Sequence, residues 1–223
     1  MSPTLVQRYA LLPDEIDRES LRMVQASLPK SISLSPREHY VLCRIVRAEG
    51  DPGIATEVRF SPQAVEVGLQ ALKSGAEIIT DVRMVEMGIS KPLLKSRGLF
   101  TRCVIDTPEV AARAQREGTT RSVASLRELA PHLNGAVVAV GNAPTALLAL
   151  LDLVDAGEVS PSLIIGMPVG FVACAESKEE LTKRAAPYIS IMGRRGGSSA
   201  AAATVNALLD LMKAPEEPQQ EAK

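Results

Sequence analysis

Five short runs constrain the fold of this chain more than any other feature: Glu77–Thr80, Arg102–Ile105, Ala136–Val140, Ser162–Ile165 and Tyr188–Met192. Each is too short for a helix. They are largely apolar without strict alternation, the pattern of strands covered on both faces. Helical patterns lie between most of them, at Pro108–Glu117, Arg121–Leu129, Thr145–Ala156 and Glu179–Ala185, and Ser199–Met212 closes the series. Strand–helix alternation with right-handed crossovers builds a doubly wound sheet. The expected fold is therefore α/β, a parallel five-stranded sheet with helices on both faces.

The first quarter carries helix punctuation. Pro13–Leu28 reads as an amphipathic helix with Ile16, Leu21 and Val24 on its apolar stripe. Ser35-Pro36-Arg37-Glu38 is a capping box with proline in the first turn, so a helix should run to about Ala48 and stop at Gly50. Ser61-Pro62 repeats the start signal and Gly75 ends that helix. No composition break divides the chain, so residues 1–213 are expected to form one domain, with 214–223 a disordered C-terminal tail.

Composition narrows the function classes. Hydrophobic residues make up 46% of the chain, yet Trp is absent and Phe and Tyr number three each, so the core must be aliphatic. A net charge of −1 gives no global field for nucleic acid or an acidic membrane. Cys43, Cys103 and Cys174 are odd in number and widely spaced, which argues against a disulfide framework or zinc site and for a cytoplasmic location. Neither a signal peptide nor a membrane span is expected.

In doubly wound sheets ligands bind beyond the carboxyl ends of the strands. Asp81 follows the first run, Gly141-Asn142-Ala143-Pro144-Thr145 the third, Gly166-Met167-Pro168-Val169-Gly170 the fourth, and Gly193-Arg194-Arg195-Gly196-Gly197-Ser198 the fifth. Gly141 permits a sharp turn, Asn142 offers an amide, and Thr145 is placed to cap the next helix. An ordinary βα turn is the alternative reading of that loop. Two arginines among three glycines, opening a helix, join a fork of donors to a positive dipole end, the makeup of a carboxylate or phosphate site. A solvated loop is the alternative there. Thr120-Arg121-Ser122 adds a further guanidinium at another helix start. His39 and His132 read as surface or structural residues, and no catalytic triad or metal-ligand cluster is visible. The residues alone thus describe an α/β domain that binds a polyanionic small molecule.

The blocks GNAPTAL, MPVGFV followed by AESK, and GRRGGS, in this order, together with DEIDRES, RFSPQAVEVGLQALKSGAEIITDVRMV and TRS, resemble the precorrin-8X methylmutase (cobalt-precorrin-8 methylmutase) family of cobalamin biosynthesis. The likeness runs from about Pro13 to Met212. It implies a flavodoxin-like sheet, a homodimer with the active site near the subunit interface, and an isomerase. That isomerase moves a methyl group between adjacent ring carbons of a carboxylate-rich tetrapyrrole without any cofactor or metal. On the matching motifs, Ser20, Arg44, Arg121, Asn142 and Arg194 fall at substrate-side positions, and Asp81, Thr145 and Ser198 complete the expected substrate-binding set.

One departure bears on chemistry. The family pattern places a catalytic histidine, the proton donor, in a segment that here reads Arg44-Ile45-Val46-Arg47-Ala48-Glu49-Gly50, and Arg47 stands in its place. Histidine titrates at about 6.5, whereas arginine stays charged to above about 12 and is a poor acid. Arg47 is suited to anchoring a carboxylate or stabilising negative charge. His39 lies two helical turns earlier, roughly 12 Å away, and cannot substitute. Glu49, Asp51 and Tyr40 are the alternative donors, and the sequence does not select among them. A second reading is a homologue that binds a corrinoid or other tetrapyrrole without turnover. A third, a phosphate or nucleotide binder, would need a phosphate loop where Asp81 stands.

Overall fold

Ser35, Ser90, Thr107 and Thr120 each start a helix as its side-chain cap, and Gly50, Gly98 and Gly118 end three of those helices. The computed structural model describes residues 4–9 and 12–212, so the expected tail at 214–223 lies outside the described residues. Two helices and a third precede the sheet: α1 (Leu5–Tyr9), α2 (Pro13–Ser27) and α3 (Pro36–Glu49). Ser35 accepts from the Glu38 N–H while the Glu38 side chain accepts from the Ser35 N–H, and Gly50 closes α3 in the left-handed region. There follow β1 (Val58–Phe60), α4 (Ala64–Lys73), β2 (Ile78–Thr80), α5 (Arg83–Gly88), α6 (Lys91–Arg97), β3 (Thr101–Arg102), α7 (Pro108–Glu117) and α8 (Arg121–Glu128). The chain continues through β4 (Val137–Val140), α9 (Pro144–Asp155), β5 (Leu163–Gly166), α10 (Cys174–Thr182), β6 (Tyr188–Ile191) and α11 (Ser198–Leu211).

The sheet has six strands in the order β1-β6-β5-β4-β2-β3, which corrects the expectation of five. Four of the expected runs form strands close to their expected bounds, while the expected strand Arg102–Ile105 shrinks to Thr101–Arg102, and all five strands are mutually parallel. The addition is β1, which pairs antiparallel with the outer side of β6. Three residues with an exposed arginine in the middle give no apolar run to read, and only the neighbouring strand reveals them. Chain direction across the sheet reverses between β2 and β4, so their carboxyl ends open a crevice.

Alternate strand residues enter two separate cores. Ile78, Val137, Ala139, Leu163, Ile165 and Ile189 pack with residues of α3, α4, α5 and α11. Ile79, Val138, Val140 and Ile164 face the other way, against α8, α9 and Leu181 of α10. Helices therefore cover both faces, and each buried aliphatic side chain stabilises the fold by about 1.5–3 kcal/mol before entropy is counted. Helix α10 begins at Cys174, ahead of the expected Glu179, and ends at Thr182 rather than Ala185. Its first residue follows Ala173 at φ 54, with no side-chain cap to mark the start.

Candidate active site

Asp81 ties the first strand end to the third. It is 1% exposed and accepts the N–H groups of Gly141 at 2.9 Å, Asn142 at 2.9 Å and Ala143 at 3.0 Å. Burial pushes its carboxyl up, and the three donors pull it back towards the charged form. Its side chain faces inward and shapes the turn, with both carboxylate oxygens on backbone donors. Thr145 is not the cap. The N-cap of α9 is Ala143, whose methyl offers no acceptor, and Thr145 lies inside the first turn of the helix. The Thr145 hydroxyl lies 3.5 Å from that of Thr120, the residue that caps α8 and precedes Arg121. Asn142 and Arg121 are both exposed.

Gly141 brings the loop after β6 against this turn, which follows β4. A Cβ there would sit 2.6 Å from Val85 Cγ2 and 3.0 Å from Ser198 Cα, so only glycine lets the two loops meet. Ser198 opens α11 and is 9% exposed, leaving little of it for a ligand. Next to it the two arginines part company. Arg195 pairs with Asp51 and, at 3.2 Å, with Glu57. Arg194 instead lies over the Phe171 ring, 5.4 Å from its centre, in a groove of about 330 Å³ that Glu49 and Gly170 also line.

A larger cleft of about 550 Å³ opens between α2 and the end of α3. Ser20 and Arg47 both line it, with Ile16, Met23 and Val24 as an apolar wall. Arg47 is ion-paired with Asp17, and Arg44 reaches the same oxygen at 3.5 Å. The two cavities share the last turn of α3: Arg47 and Gly50 line the cleft, and Glu49 lines the groove. Ser199 of α11 donates a 2.8 Å hydrogen bond to Glu49. Contacts thus run from Thr120 to Thr145, from Gly141 to Ser198, and from Ser199 to Glu49 at the end of α3.

All three alternative proton donors have partners, Glu49 through Ser199. Tyr40 donates to Asp210 at 2.5 Å, and burial with that bond pushes its phenol up to about 12. Asp51 caps the turn at Gly53 and holds Arg195. Glu49 also lines the Arg194 groove. Sequence reasoning missed Tyr9 and Glu19, which line the cleft, and Phe171 beneath Arg194. Glu19 is held in its charged form, well below the usual carboxylate range, by Arg22. His39 lies 3.7 Å from Cys43, and His132 is 3.3 Å from Glu77, both away from these cavities.

Comparison with known proteins decides what these cavities belong to. The family model described as precorrin-8X methylmutase matches residues 15–211, almost the whole described chain. The chain belongs to the precorrin-8X methylmutase family, isomerases of cobalamin biosynthesis. It is 36% identical over 196 residues to a cobalt-precorrin-8 methylmutase of Priestia megaterium, covering 88% of this chain and 87% of that one. It is 46% identical over 167 residues to a precorrin-8X methylmutase of Pseudomonas aeruginosa, covering 74% and 80%. Among solved structures, a precorrin-8X methyl mutase from Thermus thermophilus superposes with a TM-score of 0.83 at 39% identity, covering 89% of this chain and 96% of that one. The family match includes both the cleft at Ser20 and Arg47 and the Arg194 loop.

Proposed function

We propose that this chain moves a methyl group between adjacent ring carbons of precorrin-8X or cobalt-precorrin-8, giving hydrogenobyrinate or cobyrinate. One observation carries the reading: Ser20 and Arg47 in the apolar-walled cleft adjoin the Arg194 groove through a single helical turn. A flat macrocycle needs an apolar wall, and its acetate and propionate arms need several guanidinium groups. Arg44, Arg121, Asn142 and Thr145 extend the polar edge for the remaining arms.

In this reading Arg47 holds a carboxylate and stabilises charge on the ring, since a guanidinium does not release its proton near neutrality. The proton comes from a group lining the cavities, and Tyr9 and Glu49 fit that role. The rearrangement is internal to the substrate and calls for no redox cofactor. The parallel strands follow the 2-1-3-4-5 order, which supports a flavodoxin-like sheet. Phe171 and Val172, 82% and 86% exposed beside the groove, support a homodimer that closes the site. Three buried free cysteines support a reducing cytoplasm.

The test mixes purified protein with precorrin-8X, or its cobalt form, and follows the visible spectrum beside Arg47→His. Turnover by the unaltered protein establishes the mutase. Binding without turnover, with activity gained in the variant, establishes a tetrapyrrole-binding homologue. Absence of binding by both overturns the reading.

A further inference from the structure

Among the described residues Lys178 is the largest fully buried side chain, 0% exposed, and no expected role used it. It sits on α10 beneath the arginine loop. Its ammonium donates to the carbonyl oxygens of Gly193 at 3.1 Å and Arg195 at 2.5 Å. One turn earlier on the same helix, Cys174 Sγ lies 3.2 Å from the Pro168 carbonyl, 3.7 Å from that of Gly193 and 3.8 Å from that of Arg194. Three successive loop carbonyls therefore turn inward, onto one buried cation and one thiol.

This arrangement is demanding for the backbone. Gly193, Gly196 and Gly197 have φ of 73°, 129° and 136°. At Gly196 an added Cβ would meet the Met167 carbonyl oxygen at 2.7 Å. A loop of that kind has few low-energy ways to hold itself, and its carbonyls would be costly to bury without donors. Turning the carbonyls inward leaves the Arg194 side chain to project over Phe171.

We propose that Lys178 is a positioning residue of the anion site: its buried ammonium gathers the Gly193 and Arg195 carbonyls and so fixes where Arg194 meets a substrate carboxylate. The ammonium has no path to solvent and cannot touch substrate itself. Burial pushes the Lys178 amine down from the ordinary lysine range, opposed by Cys174 and Glu57. The assignment of a carboxylate as the partner of Arg194 rests on the proposed methylmutase function; the clamp on the loop does not.

The experiment uses Lys178→Met, which keeps an unbranched chain and removes the charge, and compares it with Arg194→Ala and the double variant. Amide hydrogen exchange is read first. Faster exchange confined to residues 193–198 and 168–171, with the strands unchanged, is the expected result. Unchanged exchange in the loop overturns the proposal, whatever the ligand. A variant that does not fold is replaced by Lys178→Gln, read in the same way.

Binding of hydrogenobyrinate is then titrated by absorbance. Lys178→Met is expected to weaken it about tenfold, the factor for loosening one charge-assisted contact. In the Arg194→Ala background the same change should have almost no further effect, because Lys178 acts through Arg194. Additive losses in the double variant overturn the positioning role. Failure of the unaltered protein to bind hydrogenobyrinate counts against the proposed function, while the exchange result still decides the clamp.

Discussion

Arg47 and Asp17 form an ion pair between α3 and α2, and Arg44 reaches towards the same carboxylate oxygen. The residue standing at the family's histidine position is thus engaged by an internal acid. Asp17 is half-exposed, so the pair is screened and contributes at most about 1 kcal/mol. A substrate carboxylate entering the cleft must displace or share it. Asp17→Asn should therefore tighten hydrogenobyrinate by up to about fivefold, the equivalent of that limit. Weaker binding in the variant would instead make Asp17 the group that orients Arg47.

Asp81 is the opposite case, a buried acid whose three donors come from one turn. Asparagine keeps the shape but offers a single acceptor oxygen, so at least one buried N–H loses its partner. Asp81→Asn should cost about 1–3 kcal/mol in urea unfolding. A change well below that range would mean the turn holds without the carboxylate.

Gly141→Ala tests the contact between the two strand-end loops. The new methyl meets Val85, Ala201 and the Ser198 backbone at 2.6, 2.9 and 3.0 Å. Over-packing of this kind costs about 1–3 kcal/mol. The loss should appear both in the thermal midpoint and as weaker ligand binding, since Ser198 opens the helix that follows Arg194. A stable variant with full affinity would show that the loops move independently.

Tyr40 gives a pH dependence with a defined sign. Its phenol is pushed from 10.0 up to about 12 by burial and the bond to Asp210. A raised value means the folded state keeps the proton longer than the unfolded state. The resulting stability is fully present below 10.0 and is lost as pH climbs through about 12. Tyr40→Phe should remove that alkaline decline and cost about 1 kcal/mol near neutrality. An unchanged alkaline limb in urea titrations would contradict the assignment.

The legible parts of the fold were those written in apolar periodicity and caps. Four of the five parallel strands were readable because both of their faces are aliphatic, whereas β3, only Thr101–Arg102, was expected too late, over the apolar residues that follow it. Ser35, Thr107 and Thr120 announced their helices with side-chain oxygens that accept from the first turn. Helix α10 was misplaced because its buried stripe is Cys174, Ser177, Lys178 and Leu181, a correct helical spacing filled largely by polar side chains. The same disguise hid Lys178. The Arg194 loop was legible from its glycines and charge, but the division of labour between Arg194 and Arg195 was not. That depends on Asp51 and Glu57, more than a hundred residues away in sequence. Asp81 was placed at its strand end, but its three backbone partners after β4 were not legible, since sequence gives a residue's position and not its partners.

The added strand β1 has a consequence for assembly. It caps one border of the sheet with three residues, and exposed Arg59 donates to the carbonyls of Thr56 and Val58. The other border ends on β3, only two residues long, where Arg102 is paired with Glu77. Short, charged margins are poor templates for a further strand. Copies of this chain are thereby steered away from edge-to-edge polymerisation, and any contact between them is left to helices and loops, where shape and charge can be matched to a single geometry.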